Sequence, residues 1–247
     1  MDAAFWDAVE RGDLGSFGVD AEQPLSVALP TLSSWRRARQ ERSVIDGWRY
    51  RLGWSPIPVV SGEVGLTGTW LVVVESGADG VDVAAVLRSA GAGVSVEVVT
   101  GETVGELDAG PVAGVVSLLS VEATVLLLQA LVAAGVDAPL WCVTRGGVSV
   151  VEGDLVDPDQ AGIWGLGRVI GLEHPDRWGG LVDLPAEMDG RVGGALVGVL
   201  VGGTGEDQVA IRATGTWGAR LARAMPVGDA GGEAPTMWHG RGTALVT

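Results

Sequence analysis

Few side chains in this sequence have the type and spacing to do chemistry. The stretch Gly165-Leu166-Gly167-Arg168-Val169-Ile170-Gly171 places three glycines within seven residues, which suggests a loop whose backbone amides cradle a phosphate. A dinucleotide fingerprint follows a strand directly and leaves two residues before its last glycine. Here three intervene, and the stretch lies inside a helical pattern. Close helix packing explains these glycines better than nucleotide binding. The turn where a fingerprint belongs, after the first buried strand, reads VESGADGVD, and it brings Glu75, Asp79 and Asp82 to the place of a phosphate.

Carbonyl reduction on dinucleotide-binding folds uses a Tyr whose acidity is raised by a Lys, spaced Y-x-x-x-K. The chain has no lysine, all sixteen basic residues being Arg, and its only tyrosine, Tyr50, is followed by Arg51, Leu52, Gly53 and Trp54. No G-x-S-x-G elbow of a serine hydrolase occurs. His174 and His239 are far apart, and Cys142 is the only cysteine, so neither an internal disulfide nor a thiolate metal site can form. Paired carboxylates occur by accident on so acidic a chain. No catalytic, cofactor-binding or metal-binding residue is therefore assigned.

The net charge of -15 is unevenly spread, with 7 Arg against 8 acids up to Trp54 and 9 Arg against 23 acids after it. Such a field repels phosphate backbones and argues against a nucleic-acid partner. The run SWRRARQER, Ser34 to Arg42, is locally basic and reads as a solvated helix face. No stretch of eighteen apolar residues suggests a membrane span, and the acidic start MDAAFWDAVERGD lacks the features of a secretory signal. A cytoplasmic protein is expected.

The elements that would position any site follow from periodicity. Two short helices are expected before residue 48, the second burying Leu32 and Trp35. WRYRLGW, residues 48 to 54, alternates with period two and reads as a strand. Residues 55 to 68 are rich in Pro and Gly and read as a connection. TWLVVVES is a continuous apolar run of the sort covered on both faces, and a helical pattern follows from Val81 to Ala90. GVSVEVVT, GVVSLLS, APLWCVTRGG, WGGLVDLP and EDQVAIRA repeat the strand signal. Between them VEATVLLLQALVAAG, a segment from Asp157 to Pro175 and Gly190 to Val201 read as helices. Strands alternating with helices define an α/β class: a Rossmann-like, mostly parallel sheet flanked by helices, with a short N-terminal helical appendage. RGTALVT, residues 241 to 247, reads as a fresh strand after a Gly/Pro-rich linker.

These residues resemble the ketoreductase domains of modular type I polyketide synthases. Such a domain has two Rossmann-like halves, a structural one without cofactor and a catalytic one that binds NADPH. WRYRLGW is similar to the opening strand of the structural half, DQAGIWGLGRVIGLEHPDRWGGLVDLP is the strongest match, and EDQVAIRATGTWGARLARA is similar to its closing segment. GTALVT resembles the first strand of the catalytic half, and FWDAVERGD with LSVALPTLSSWRRARQERS resembles the dimerisation element preceding some ketoreductases. The resemblance implies residues 1–47 as a dimerisation-element-like segment, 48–226 as the structural subdomain, 227–241 as a linker and 242–247 as a strand of the catalytic subdomain. It also implies that no enoylreductase is inserted between the halves.

On this resemblance the chain supports NADPH-dependent reduction of a β-ketoacyl-carrier-protein intermediate but binds no cofactor itself. The implied partners are the catalytic subdomain, the acyl carrier protein and other synthase domains, and a second copy through residues 1–47. Two alternatives are an independent dimerisation or docking module and a degenerate free-standing reductase.

Overall fold

The computed structural model describes residues 47–58, 65–76, 80–99 and 110–224, with isolated positions before residue 47. The expectations for most of residues 1–46, for linker 227–241, for strand 242–247, and for Asp79 and His239 lie outside the described residues. In the basic run, Arg36 and Arg37 are helical and exposed, as a solvated face requires. The chain divides into two compact units, one of residues 52–220 and one of residues 1–51 with 221–247.

Eight strands form one sheet: β1 (Tyr50–Pro56), β2 (Thr69–Val74), β3 (Gly93–Val98), β4 (Gly114–Leu118), β5 (Leu140–Arg145), β6 (Trp178–Leu184), β7 (Gln208–Arg212) and β8 (Gly215–Arg223). Their order across the sheet is β1-β8-β7-β6-β5-β4-β2-β3. β3, β2, β4, β5, β6 and β7 are parallel neighbours, and β8 turns back antiparallel on β7. Among the residues described from 49 onwards, four α-helices accompany them: α1 (Val81–Ser89), α2 (Val121–Ala133), α3 (Pro158–Glu173) and α4 (Gly190–Leu200). The expected α/β class is the observed one.

The runs without alternation are the strands covered twice. From Trp70 to Val74 every residue of β2 is buried. Val72 and Val74 join the core that includes Val83 and Leu87 of α1 and Val192 and Leu196 of α4, whereas Leu71 and Val73 join Leu127 and Leu131 of α2 and Ile163 and Trp164 of α3. Successive side chains of a strand point to opposite faces, so a strand between two helical layers must be apolar throughout. β1 departs from the expected bounds, since Gly47 and Trp48 are helical and the strand begins at Tyr50. It also runs on through Ser55 and Pro56, because an edge strand tolerates a proline that donates no hydrogen bond.

Helix ends follow their capping residues. The Asp157 carboxylate accepts the N–H groups of Asp159 (2.9 Å) and Gln160 (3.3 Å), with Pro158 at the first helical position of α3. The Asp189 carboxylate accepts the Val192 N–H at 2.8 Å and starts the glycine-bearing α4.

Tryptophans lie over glycines, and this pairing answers the question raised by GLGRVIG. A Cβ at Gly167 would stand 2.7 Å from Leu181 and 2.9 Å from the Trp178 ring, and one at Gly171 would stand 2.9 Å from the same indole. These two glycines let α3 settle onto β6. Gly165 is different, since nothing lies within 4 Å of its missing Cβ. The same device recurs inside the sheet, where Trp70 covers Gly114 and Trp141 covers Gly179. Cys142 follows Trp141 in β5 and is fully buried in the core on the opposite face of the sheet, and burial pushes its thiol up to about 12.

Candidate functional site

In an open parallel sheet a ligand crevice forms at the carboxyl ends of the strands, where the strand order reverses. Here the chain leaves β2 for β3 on one side and returns for β4 on the other. A crevice of about 790 Å³ lies at that point, lined by Glu75 and Gly80 after β2, Ser120 and Glu122 after β4, Arg145 at the end of β5, and Asp157 and Gln160 at the start of α3.

Carboxylates stand in and beside this crevice. Glu75 accepts the Ser120 hydroxyl at 2.5 Å and the Ser120 N–H at 3.2 Å, at the N-terminal end of α2. Asp82, in the first turn of α1, accepts the Val83 N–H at 2.8 Å through one oxygen and pairs with Arg145 at 2.6 Å through the other. A helix start that would attract phosphate is thus already supplied with negative charge. Arg145 has no spare orientation, since it also donates to the Pro185 carbonyl at 2.8 Å while its own N–H is accepted by Gln160 at 3.1 Å. At Gly80, φ is +71° and a Cβ would stand 2.9 Å from Val74, so the glycine serves the turn itself.

A second polar cluster lies beneath the loop between β5 and α3. Asp183 is fully buried at the end of β6. It accepts Thr144 Oγ1 at 2.6 Å, the Gly147 N–H at 2.7 Å and Arg212 Nη2 at 2.7 Å, and the Trp164 indole donates to Thr144 at 2.9 Å. Arg212 also donates to Asp154 at 3.0 Å and to the Val148 carbonyl at 2.9 Å. Burial pushes the Asp154 carboxyl up, yet N–H groups of Val150 and Val151 and the Arg212 guanidinium together hold it below the usual carboxylate range. Every charge in this cluster is partnered, so it fixes the loop.

The other candidate residues are dispersed. Tyr50 lies in β1 under the Arg223 guanidinium, 5.5 Å from the ring centre. His174 caps the end of α3, its N–H donating to the Ile170 carbonyl at 2.7 Å. Among the described residues no group of three or more His, Cys, Asp or Glu is placed to hold a metal ion, and no helix is long and apolar enough to cross a membrane. Sequence reading missed Arg145, Asp154, Asp183 and Arg212. The available signal was an Arg at the end of each of two buried strands, where an ion rarely stays without a partner.

Fold and crevice define a doubly wound α/β domain with carboxylates at its switch point. A family model described as "Polyketide synthase extender module SpnB, Rossmann fold domain" matches residues 52–221, and one described as "Polyketide synthase dimerisation element domain" matches residues 2–42. The chain belongs to the Rossmann-fold domain family of polyketide synthase extender modules. It is 42% identical to polyketide synthase GfsB of Streptomyces halstedii, over all of this chain and 5% of that protein. It is 46% identical to the pikromycin polyketide synthase component PikAII of Streptomyces venezuelae, over 89% of this chain and 7% of that protein. The chain thus spans only a small part of these synthases. Among solved structures, a C2-type ketoreductase from a modular polyketide synthase matches with a TM-score of 0.64 and 44% identity, covering 72% of this chain and 44% of that one. A-type ketoreductases match with a TM-score of 0.67 and 40% identity, covering 77% of this chain and 45% of theirs.

Proposed function

We propose that the chain is the structural, non-catalytic half of a polyketide synthase ketoreductase and supports NADPH-dependent reduction of a β-ketoacyl intermediate on an acyl carrier protein. The observation that carries this reading is the acidic switch-point crevice, where Glu75 after β2 accepts Ser120 at the start of α2 and the lining Arg145 is paired with Asp82 in the first turn of α1. Its residues do not fit NADPH. The absence of lysine from the chain agrees, because the Tyr–Lys pair of carbonyl reduction cannot be assembled.

The catalytic half would supply cofactor and chemistry, and this half would hold it in place. A surface for that contact is available on α3. Gly162, Gly165, Val169 and Leu172 recur at spacings of three and four, all on its exposed side, with Leu172 84% exposed. More than half of each matched ketoreductase chain lies outside the region this chain covers, which provides an occupant. The match of residues 2–42 to a dimerisation element adds a second role, homodimer formation.

Calorimetric titration of NADPH into the chain tests the reading. No binding is expected for the chain alone, with binding and ketone reduction once it is mixed with a separately produced catalytic half. Saturable binding of NADPH to the chain by itself would overturn it.

A further inference from the structure

We propose that Leu155 and Val156, presented by the loop between β5 and α3, form a docking knob for the catalytic half of the ketoreductase. This rests on the reading above and extends the contact on α3 past the N-terminal end of that helix.

The loop from Gly146 to Asp157 contains no helix or strand, yet it is tied down by its own bonds. Its ends meet, the Asp157 N–H donating to the Gly146 carbonyl at 2.9 Å. The buried Asp183 accepts the Gly147 N–H, and Arg212 donates to the Val148 carbonyl. Asp154 accepts the N–H groups of Val150 at 2.9 Å and Val151 at 3.3 Å, together with Arg212 Nε at 3.0 Å. A buried ion pair is a poor source of net stability, because desolvation offsets most of its attraction. What this one secures is the position of the loop. Leu155 follows the clamped Asp154 directly and is 90% exposed, and Val156 beside it is exposed as well. Closed loops held on a rigid scaffold are where binding residues concentrate, and a loop ordered in advance need not be ordered on docking.

Placement and charge select the occupant. Among the described residues Leu155 and Leu172 are the most exposed of the large apolar side chains, at 90% and 84%. One stands just before α3 and the other in its last turn. They bracket a helix about 24 Å long, whose exposed side carries Gly162, Gly165 and Val169. A partner that covers α3 from end to end reaches both. Glu152, Asp157 and Asp159, exposed around Leu155, repel an anionic membrane or a nucleic acid, which leaves a protein. The part of each matched ketoreductase chain that lies outside the region covered here is large enough to span the helix.

Calorimetric titration of a separately produced catalytic half into the parent chain, into Leu155→Ser and into Leu155→Met tests the proposal. Leu155→Ser is expected to weaken docking by about tenfold or more while leaving the urea midpoint of the isolated chain unchanged, because the side chain is exposed. Leu155→Met is expected to retain most of the parent affinity. A dissociation constant for Leu155→Ser equal to that of the parent would overturn the proposal and leave the structural-half reading in place. A parent chain that does not bind the catalytic half would overturn that reading and this proposal with it.

Discussion

Gly165 and Gly167 lie two residues apart in α3, yet their surroundings demand opposite outcomes from one methyl group. Gly167→Ala pushes a Cβ into Leu181 and Trp178 and is expected to cost about 1–3 kcal/mol, as overpacking does. Gly165→Ala meets open space and is expected to stabilise the helix by about 0.5–1 kcal/mol through backbone entropy. Urea unfolding of the two variants reads both signs at once, and equal shifts would refute the packing account. Arg212 presents the other residue-scale case, since Arg212→Met leaves the buried Asp183 carboxylate without its cation. A loss of about 3–5 kcal/mol is expected. Asp154 ties the same loop to pH. Its carboxyl titrates lower in the folded chain than the ordinary 3.8, so its contribution is complete above that value and fades as pH falls through the lowered one. Acid unfolding followed by fluorescence is accordingly expected to show a shallower pH dependence in Asp154→Asn than in the parent.

At the scale of elements, α3 serves two partners. Its inner side, with Ile163, Trp164, Gly167 and Ile170, is buried in the core, and its outer side carries the exposed Val169 and Leu172. Leu172→Asp is expected to leave the melting temperature of the isolated chain within about 1 °C, because an exposed site away from the core changes stability little. The same substitution is expected to abolish reconstitution with a catalytic half; undiminished reductase activity on mixing would remove α3 from the interface. Most of these elements were legible beforehand. β2 is an uninterrupted apolar run after Thr69, β4, β5 and β6 are mostly apolar with single polar residues towards their ends, and α3 is bracketed by Asp157-Pro158 at one end and Pro175 at the other. The return strand β8 was not legible as a strand, because its residues Gly215 to Arg223 mix glycine, arginine and tryptophan without a clean period; family likeness marked only the segment that contains it. The negative character of the crevice was also legible, in Glu75 and Asp82. Its wiring was not, since Arg145 and Asp82 are 63 residues apart and Arg212 and Asp183 are 29 apart, and only the sheet order brings each pair together.

For the molecule as a whole, charge sets the terms of association. Each copy carries -15, so two copies repel over distances that salt screens, with a Debye length of about 10 Å at 0.1 M. Added salt is therefore expected to tighten the homodimer, and a dissociation constant that rises with ionic strength would show that cross-copy ion pairs dominate instead. Cys142 gives the whole chain one more property. As the sole thiol, buried in the middle of the central strand layer and held protonated far above neutral pH, it is closed to alkylating reagents while the sheet is intact. Its labelling rate thus becomes a clock for the opening of the sheet, a chemical reporter that needs no engineered probe and shows whether a docked partner slows that opening.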